Sequence, residues 1–251
     1  MLGLGMGGAA LEFYGKNSPF PDACAVRTGK IAGPSGWSGR KILFITDIHY
    51  GRFFGPSDAA QLGRIVSHLN PDAVMLGGDL AESPDTDLSG FLAGWSPKCP
   101  TIFTPGNHDL FPGMLDSPVL QQAAAGGFTV LSNAAIPWNG IHFIGLPSAL
   151  RTEQRLELLQ ASGLKIVLAH EPDLWDRYDQ PDLVHLAGHT HGGQIRFLGH
   201  AICLPTLGQK FPLGQFFKER NNRLIVSAGL GCTTAPVRIN CPPEIVRLEF
   251  V

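Results

Sequence analysis

Apolar residues in this chain come mostly in short continuous runs. Lys41–Thr46, Ala73–Leu76, Thr101–Thr104, Lys165–Ala169 and Leu183–Ala187 each read as a strand covered on both faces. Helical signals stand between the first three. Ser57-Asp58 is a capping signal for a helix with Leu62, Ile65, Val66 and Leu69 on one face, stopped by Asn70-Pro71. A shorter helix is predicted around Leu88–Trp95, another near Asp116–Ala125 and a fourth over Thr152–Gln160. Strands are predicted near Phe128–Leu131 and Ile141–Gly145, with Asn139-Gly140 as a hairpin signal. Strand-helix alternation implies right-handed βαβ crossovers and a mainly parallel sheet, an α/β fold. Ile195–Phe197, Arg223–Ser227 and Glu244–Phe250 read as strands of a second sheet. One domain is expected over residues 41–251, preceded by an extension, 1–40, that carries an edge strand at Ala23–Ile31.

The chemistry lies in the polar residues at the ends of these runs. Asp47-Ile48-His49, Gly78-Asp79, Gly106-Asn107-His108-Asp109, His170 and Gly188-His189-Thr190-His191 all sit where a strand ends. Open α/β sheets bind their ligands at that rim. Taken singly, each cluster is also an ordinary polar turn. Together they offer carboxylates, an amide and neutral imidazoles, a donor set of intermediate hardness that suits Mn, Fe, Zn, Co or Ni better than Ca or Mg alone. No cluster contains cysteine, which argues against a structural zinc site. There are more donors than one ion needs, and two ions sharing a bridging carboxylate account for them. On an extended stretch Asp47 and His49, two apart, would address the same ion.

Composition narrows the function. The chain has 251 residues, 44% of them hydrophobic and 16% charged, with a net charge of −2. That is globular and carries no basic stripe, so nucleic acid is not an expected partner. Five cysteines without CxxC spacing read as buried free thiols in a reducing compartment. No apolar run is long enough to span a membrane. Residues 1–11 are apolar and Gly-rich without a basic flank, a reading that leaves a frayed tail, a removed anchor and a weak membrane contact all open. The stretch Phe197–Phe217 is apolar for a loop; folding back as core competes with cradling acyl chains or touching a bilayer. His68, His142, His185 and His200 stand apart from the clusters and read as surface or hydrogen-bonded core histidines, and the four tryptophans as packing residues. Arg52, three residues after His49, is a candidate for binding a substrate phosphate.

The five blocks, in this order, resemble the calcineurin-like metallophosphoesterase superfamily, whose pattern runs D-x-H, G-D, G-N-H-D/E, H, G-H-x-H. Gly188–Ile195, Gly229-Leu-Gly231, Pro236-Val-Arg238 and Cys241–Ile245 extend the similarity to the YkuE/YaeI-type branch of bacterial phosphodiesterases, over roughly residues 40–251. The resemblance implies a four-layer α/β/β/α sandwich, two mixed sheets flanked by helices. It also implies two divalent metal ions per chain, manganese first. Asp47, His49 and His191 match the ligands of one metal, Asn107, His170 and His189 those of the second, and Asp79 the bridging carboxylate. His108 matches the histidine that faces the substrate without binding metal, and Asp109 the acid that orients it.

The activity so implied is metal-dependent hydrolysis of a phosphodiester or pyrophosphate bond. The substrate would be a phosphate ester or nucleotide diphosphate, including lipid-linked ones such as UDP-2,3-diacylglucosamine. A soluble small diester or cyclic nucleotide is the alternative, and a non-enzymatic scaffold of the same fold a second. The expected location is cytoplasmic, with peripheral contact to the inner membrane. One departure concerns the substrate rim: Leu146-Pro147-Ser148 stands where many relatives carry acidic residues.

Overall fold

The computed structural model describes residues 13–14 and 24–251. Residues 1–11 lie outside the described residues. In chain order the main strands are β1 (Ala25–Ile31), β2 (Lys41–Ile45), β3 (Ala73–Leu76), β4 (Thr101–Phe103), β5 (Thr129–Val130), β6 (Ala134–Trp138), β7 (Ile141–Leu146), β8 (Leu164–Ala169), β9 (Leu183–Ala187), β10 (Gly214–Lys218), β11 (Asn222–Val226) and β12 (Glu244–Phe250). Three α-helices, α1 (Pro56–Leu69), α2 (Ser89–Gly94) and α3 (Pro118–Ala125), belong to the first half.

The strands form two six-stranded mixed sheets, β1-β12-β2-β3-β4-β5 and β10-β11-β9-β8-β7-β6. From β2 to β5 the first sheet is parallel, as the alternation required. Alternation along each strand explains the layering. On β2, Leu43 and Ile45 pack with Leu62, Val66 and Phe91 of the helices. Ile42 and Phe44 point the other way and meet Ile166 and Leu168 of β8 between the sheets. On β8 the outward Val167 and Ala169 pack with Leu159, Trp175 and Tyr178. Three apolar interlayers therefore separate four layers. Each wholly buried aliphatic or Phe side chain in them contributes about 1.5–3 kcal/mol.

Three expectations need correction. Glu244–Phe250 belongs to the first sheet, inserted between β1 and β2, because the chain end returns parallel to β1 and antiparallel to β2. Arg196–Phe197 pairs only with His200–Ala201 in a small ribbon and joins neither large sheet. The predicted helix over Thr152–Gln160 is a short 3₁₀ turn, Leu156–Gln160, and the outer layer of the second sheet consists of it and a second 3₁₀ turn, Pro172–Arg177. Ala25–Ile31 is an edge strand. Asn139 and Gly140 both take positive φ (48° and 83°) in the β6–β7 hairpin, as a primed turn demands. Among the described residues no helix is long and apolar enough to cross a membrane.

Candidate metal centre

Segments beyond the C-terminal ends of β2, β3, β4, β8 and β9 converge. Past β2 and β3 the backbones stay linked, with Asp47 N–H donating to Gly78 C=O (3.0 Å) and Ile48 and His49 N–H to Asp79 C=O (2.9 and 3.0 Å). Asp47 and His49 do share one site, but not through an extended stretch: both are left-handed (φ 53° and 51°). Asp79, His189 and His191 are left-handed too (φ 52°, 69° and 50°). Such conformations cost non-glycine residues about 1–3 kcal/mol each and persist where surroundings over-determine them. Five of them gather at this strand-end rim. Gly106 and Gly188 serve close approach: a Cβ there would lie 2.3 Å from Asp79 Oδ1 and 2.2 Å from Asp47 Oδ2.

Among the described residues three overlapping groups of ligand atoms result, Asp47 with His49 and His191, Asp79 with His170 and His189, and His49 with Asp79 and His108, each within 4.8 Å. Asp79 lies between them, its Oδ2 3.1 Å from His170 Nε2 and 3.6 Å from His49 Nε2. His49 Nε2 and His191 Nε2 are 3.2 Å apart. Asn107 Oδ1 is buried with no hydrogen-bond partner among the described residues, and the buried His170 Nε2 faces only the Asp79 carboxylate. His170 Nδ1 donates to Gly77 C=O (2.8 Å) and His189 Nε2 to Thr206 C=O (2.8 Å), which leaves the other nitrogen of each ring as the one open to a cation. Converging carboxylates, imidazole nitrogens and an orphaned amide oxygen fit two divalent cations. The acid and base side chains also compensate one another's charge. Burial opposes ionisation of both Asp79 and His170, yet their mutual attraction holds Asp79 well below and His170 well above its usual range. Burial, reinforced by His49 and Arg238, keeps His191 neutral, with a pKa well below the ordinary one.

His108 is half-buried at the edge of this group. Its Nδ1 donates to the carbonyl of Glu82 (2.8 Å). Here the structure corrects the expected partner. Asp109 accepts from the amides of Ala81 (3.0 Å), Gly106 (2.9 Å) and Leu80 (3.3 Å), stapling the loop to the β3 extension, and does not hold the His108 ring. Burial, then the neighbouring Asp79, raises its pKa to about 6.

Glu82 does not stand out in the sequence. Its carboxylate accepts from His49 Nδ1 (3.1 Å) and from Arg52 (2.7 Å). A single acid in a loop before Ser83-Pro84 has no distinguishing signal. Arg52 is thereby engaged by Glu82 and is not among the residues that line the cavity over the metal ligands. That cavity measures about 440 Å³. Asp79, Asn107, His108, His189 and His191 line it together with the apolar Ile195, Ile202, Leu204 and Pro205. Cys203, expected to be buried, is exposed and lines it; Cys232 and Cys241 are buried, Cys24 and Cys99 partly so, and all five are free. The apolar stretch 197–217 divides: Phe211 is core against Trp175, whereas Phe197, Leu198 and Ile202 are exposed. Ser148 is buried and donates to Glu171.

The family model for the calcineurin-like phosphoesterases matches residues 40–193. The chain belongs to the calcineurin-like phosphoesterase family. It is accordingly a phosphoric ester hydrolase, and divalent metals go with the family. Among relatives, phosphodiesterase YaeI of Escherichia coli is 32% identical over 228 residues, covering 84% of this chain and 82% of the relative. The metallophosphoesterase YkuE of Bacillus subtilis, itself uncharacterized, is 29% identical over 229 residues, covering 84% and 79%. A transmembrane protein with a metallophosphoesterase domain from Danio rerio is 26% identical over 239 residues, covering 86% of this chain and 54% of that protein.

Proposed function

We propose that this phosphoesterase hydrolyses a phosphodiester or pyrophosphate bond of an amphiphilic substrate at a dinuclear centre, with manganese as the working metal. The observation that carries the dinuclear reading is Asp79 shared between groups of buried donors, its carboxylate facing His170 Nε2 at 3.1 Å, with Asn107 Oδ1 left without a hydrogen-bond partner. Asp47, His49 and His191 would hold one ion, Asn107, His170 and His189 the other, and Asp79 both. When bound, the ions supply a nucleophilic water and neutralise phosphoryl charge. His108, its Nδ1 committed to Glu82 C=O, presents Nε2 to the cavity and hands a proton or hydrogen bond to the leaving oxygen. Asp109 keeps that loop in place through three backbone amides.

The apolar lining supports an amphiphilic substrate. Six of the exposed large hydrophobics, Phe111, Met114, Leu115, Phe197, Leu198 and Ile202, lie on segments that follow the ligand-bearing ends of β4 and β9. A rim of this kind suits acyl chains or a bilayer surface, consistent with a lipid-linked nucleotide diphosphate and a peripheral position at the cytoplasmic face of the inner membrane. The name of YaeI favours diesters over monoesters.

The test is the Mn-loaded chain assayed on an aryl phosphomonoester, an aryl phosphodiester and UDP-2,3-diacylglucosamine. Metal-dependent turnover with the amphiphile preferred is expected. Preference for a short soluble diester or a cyclic nucleotide would remove the amphiphile from this reading, and no metal-dependent turnover on any of the three would overturn it.

A further inference from the structure

Arg238 is wholly buried and lies outside the family match, 47 residues beyond His191. No carboxylate is among its hydrogen-bond partners in the described residues; carbonyls hold it. Nη2 donates to Gly231 (2.6 Å) and Ala228 (2.8 Å), Nε to Gly231 (3.1 Å) and Nη1 to Cys241 (3.4 Å). At 3.5 Å the guanidinium reaches the carbonyl of His191. A buried charge is tolerated only when its donors are satisfied like this, and removing it strands the acceptors.

The turn it grips is the one laid over Asp47. Gly231 N–H donates to Asp47 C=O (2.6 Å) and Leu230 N–H to Thr46 C=O (3.1 Å). Gly229, at φ 67°, leaves so little room that a Cβ would sit 2.6 Å from Asp47 Cβ. One planar fork thus fastens both the turn covering Asp47 and the peptide of His191. Those two residues belong to the same donor group, and none of the fork's hydrogen bonds reaches Asn107, His170 or His189.

We infer that Arg238 is a positioning residue for one of the two metal positions, holding Asp47 and His191 in register from behind. Fork geometry does this, not charge alone, so a lysine cannot replace it. The inference rests on the dinuclear reading under Proposed function.

The test titrates metal-free wild type, Arg238→Lys and Arg238→Gln with Mn²⁺. Bound ions are counted and the signal of paired ions is followed by electron paramagnetic resonance, with circular dichroism and melting of the metal-free forms as the check on folding. Both variants are expected to bind one ion as wild type does and the second about 10–100-fold more weakly, with the paired signal lost at limiting metal. Two ions bound by folded Arg238→Lys with wild-type affinity would overturn the inference, as would equal weakening of both. Wild type binding fewer than two ions would count against the dinuclear centre instead. A crystal structure of metal-loaded wild type gives an arm that needs no variant. Arg238 should contact Ala228 and Gly231 while His191 binds metal; a guanidinium elsewhere, with both ions in place, would contradict its role.

Discussion

His49 Nε2 faces His191 Nε2 across 3.2 Å. His49 Nδ1 is committed to the Glu82 carboxylate, which leaves Nε2 as the nitrogen open to a cation; burial opposes protonation of His49, but Glu82, Asp79 and Asp47 raise its pKa, whereas burial keeps His191 neutral. A cation between them converts a contact of limited value into two coordinate bonds. Metal should therefore stabilise the fold by mass action, by about 4 kcal/mol when free Mn²⁺ is about 1,000 times its Kd. Denaturant unfolding with Mn²⁺ and with a chelator measures this. Coincident transitions would contradict it.

Glu82 acts twice, through its carboxylate on His49 and its carbonyl on His108. Glu82→Gln removes the first action and spares the second. Metal affinity should fall about 10–100-fold while kcat at saturating metal changes far less. The opposite split, kcat lost at unchanged affinity, would show that the carboxylate does not work through His49.

His185 lies away from the centre, buried between Tyr178 OH (2.8 Å) and Ala169 C=O (2.9 Å). Burial lowers its pKa to about 4. The unfolded chain, with an ordinary histidine pKa, binds more protons between pH ~6.5 and ~4, so stability is complete above that window and falls as pH drops through it. The loss reaches about 3 kcal/mol. In His185→Gln the pH dependence of unfolding free energy across this window should flatten by up to one proton; an unchanged slope would exclude His185 as its source.

Phe197 and Leu198 are 61% and 76% exposed, so replacing them with serine costs the fold little. On an amphiphilic substrate the double variant should show a raised KM, with kinetics on a small aryl diester unaltered. A parallel change on both substrates would mean that the hairpin supports the site and not the acyl chain.

Much of this architecture was legible in the sequence because buried parallel strands leave continuous apolar runs and because the ligands punctuate their ends. Lys41–Ile45 and Leu164–Ala169 announce themselves that way. Sheet membership did not. Glu244–Phe250 reads as any strand, and only its pairing with Ala25–Ile31 and Lys41–Phe44 assigns it to the first sheet. At the site, metal-ligand chemistry restricts residue type, so the donors stood out. Their supports did not: Glu82 carries no signal, and Arg238 stood out only as part of the Pro236-Val-Arg238 resemblance, with no role attached, until folding presses the first against a histidine and buries the second wholly. Asp109 misled because its neighbour in sequence is not its partner in space.

Two ions and His108 divide the work of ester cleavage in the mechanism proposed for this centre. His108 also lies within 4.8 Å of ligand atoms of His49 and Asp79, so ligation and proton donation must be separated by measurement. His108→Ala, with its metal content determined, should be compared with wild type on diesters of nitrophenol and of an aliphatic alcohol. The expected result is two ions retained, a fall of about 10²–10⁴-fold on the aliphatic ester and a smaller one on the nitrophenyl ester, whose leaving group needs no proton. Loss of an ion, or equal rates with and without His108 on the aliphatic ester, would contradict that division of labour.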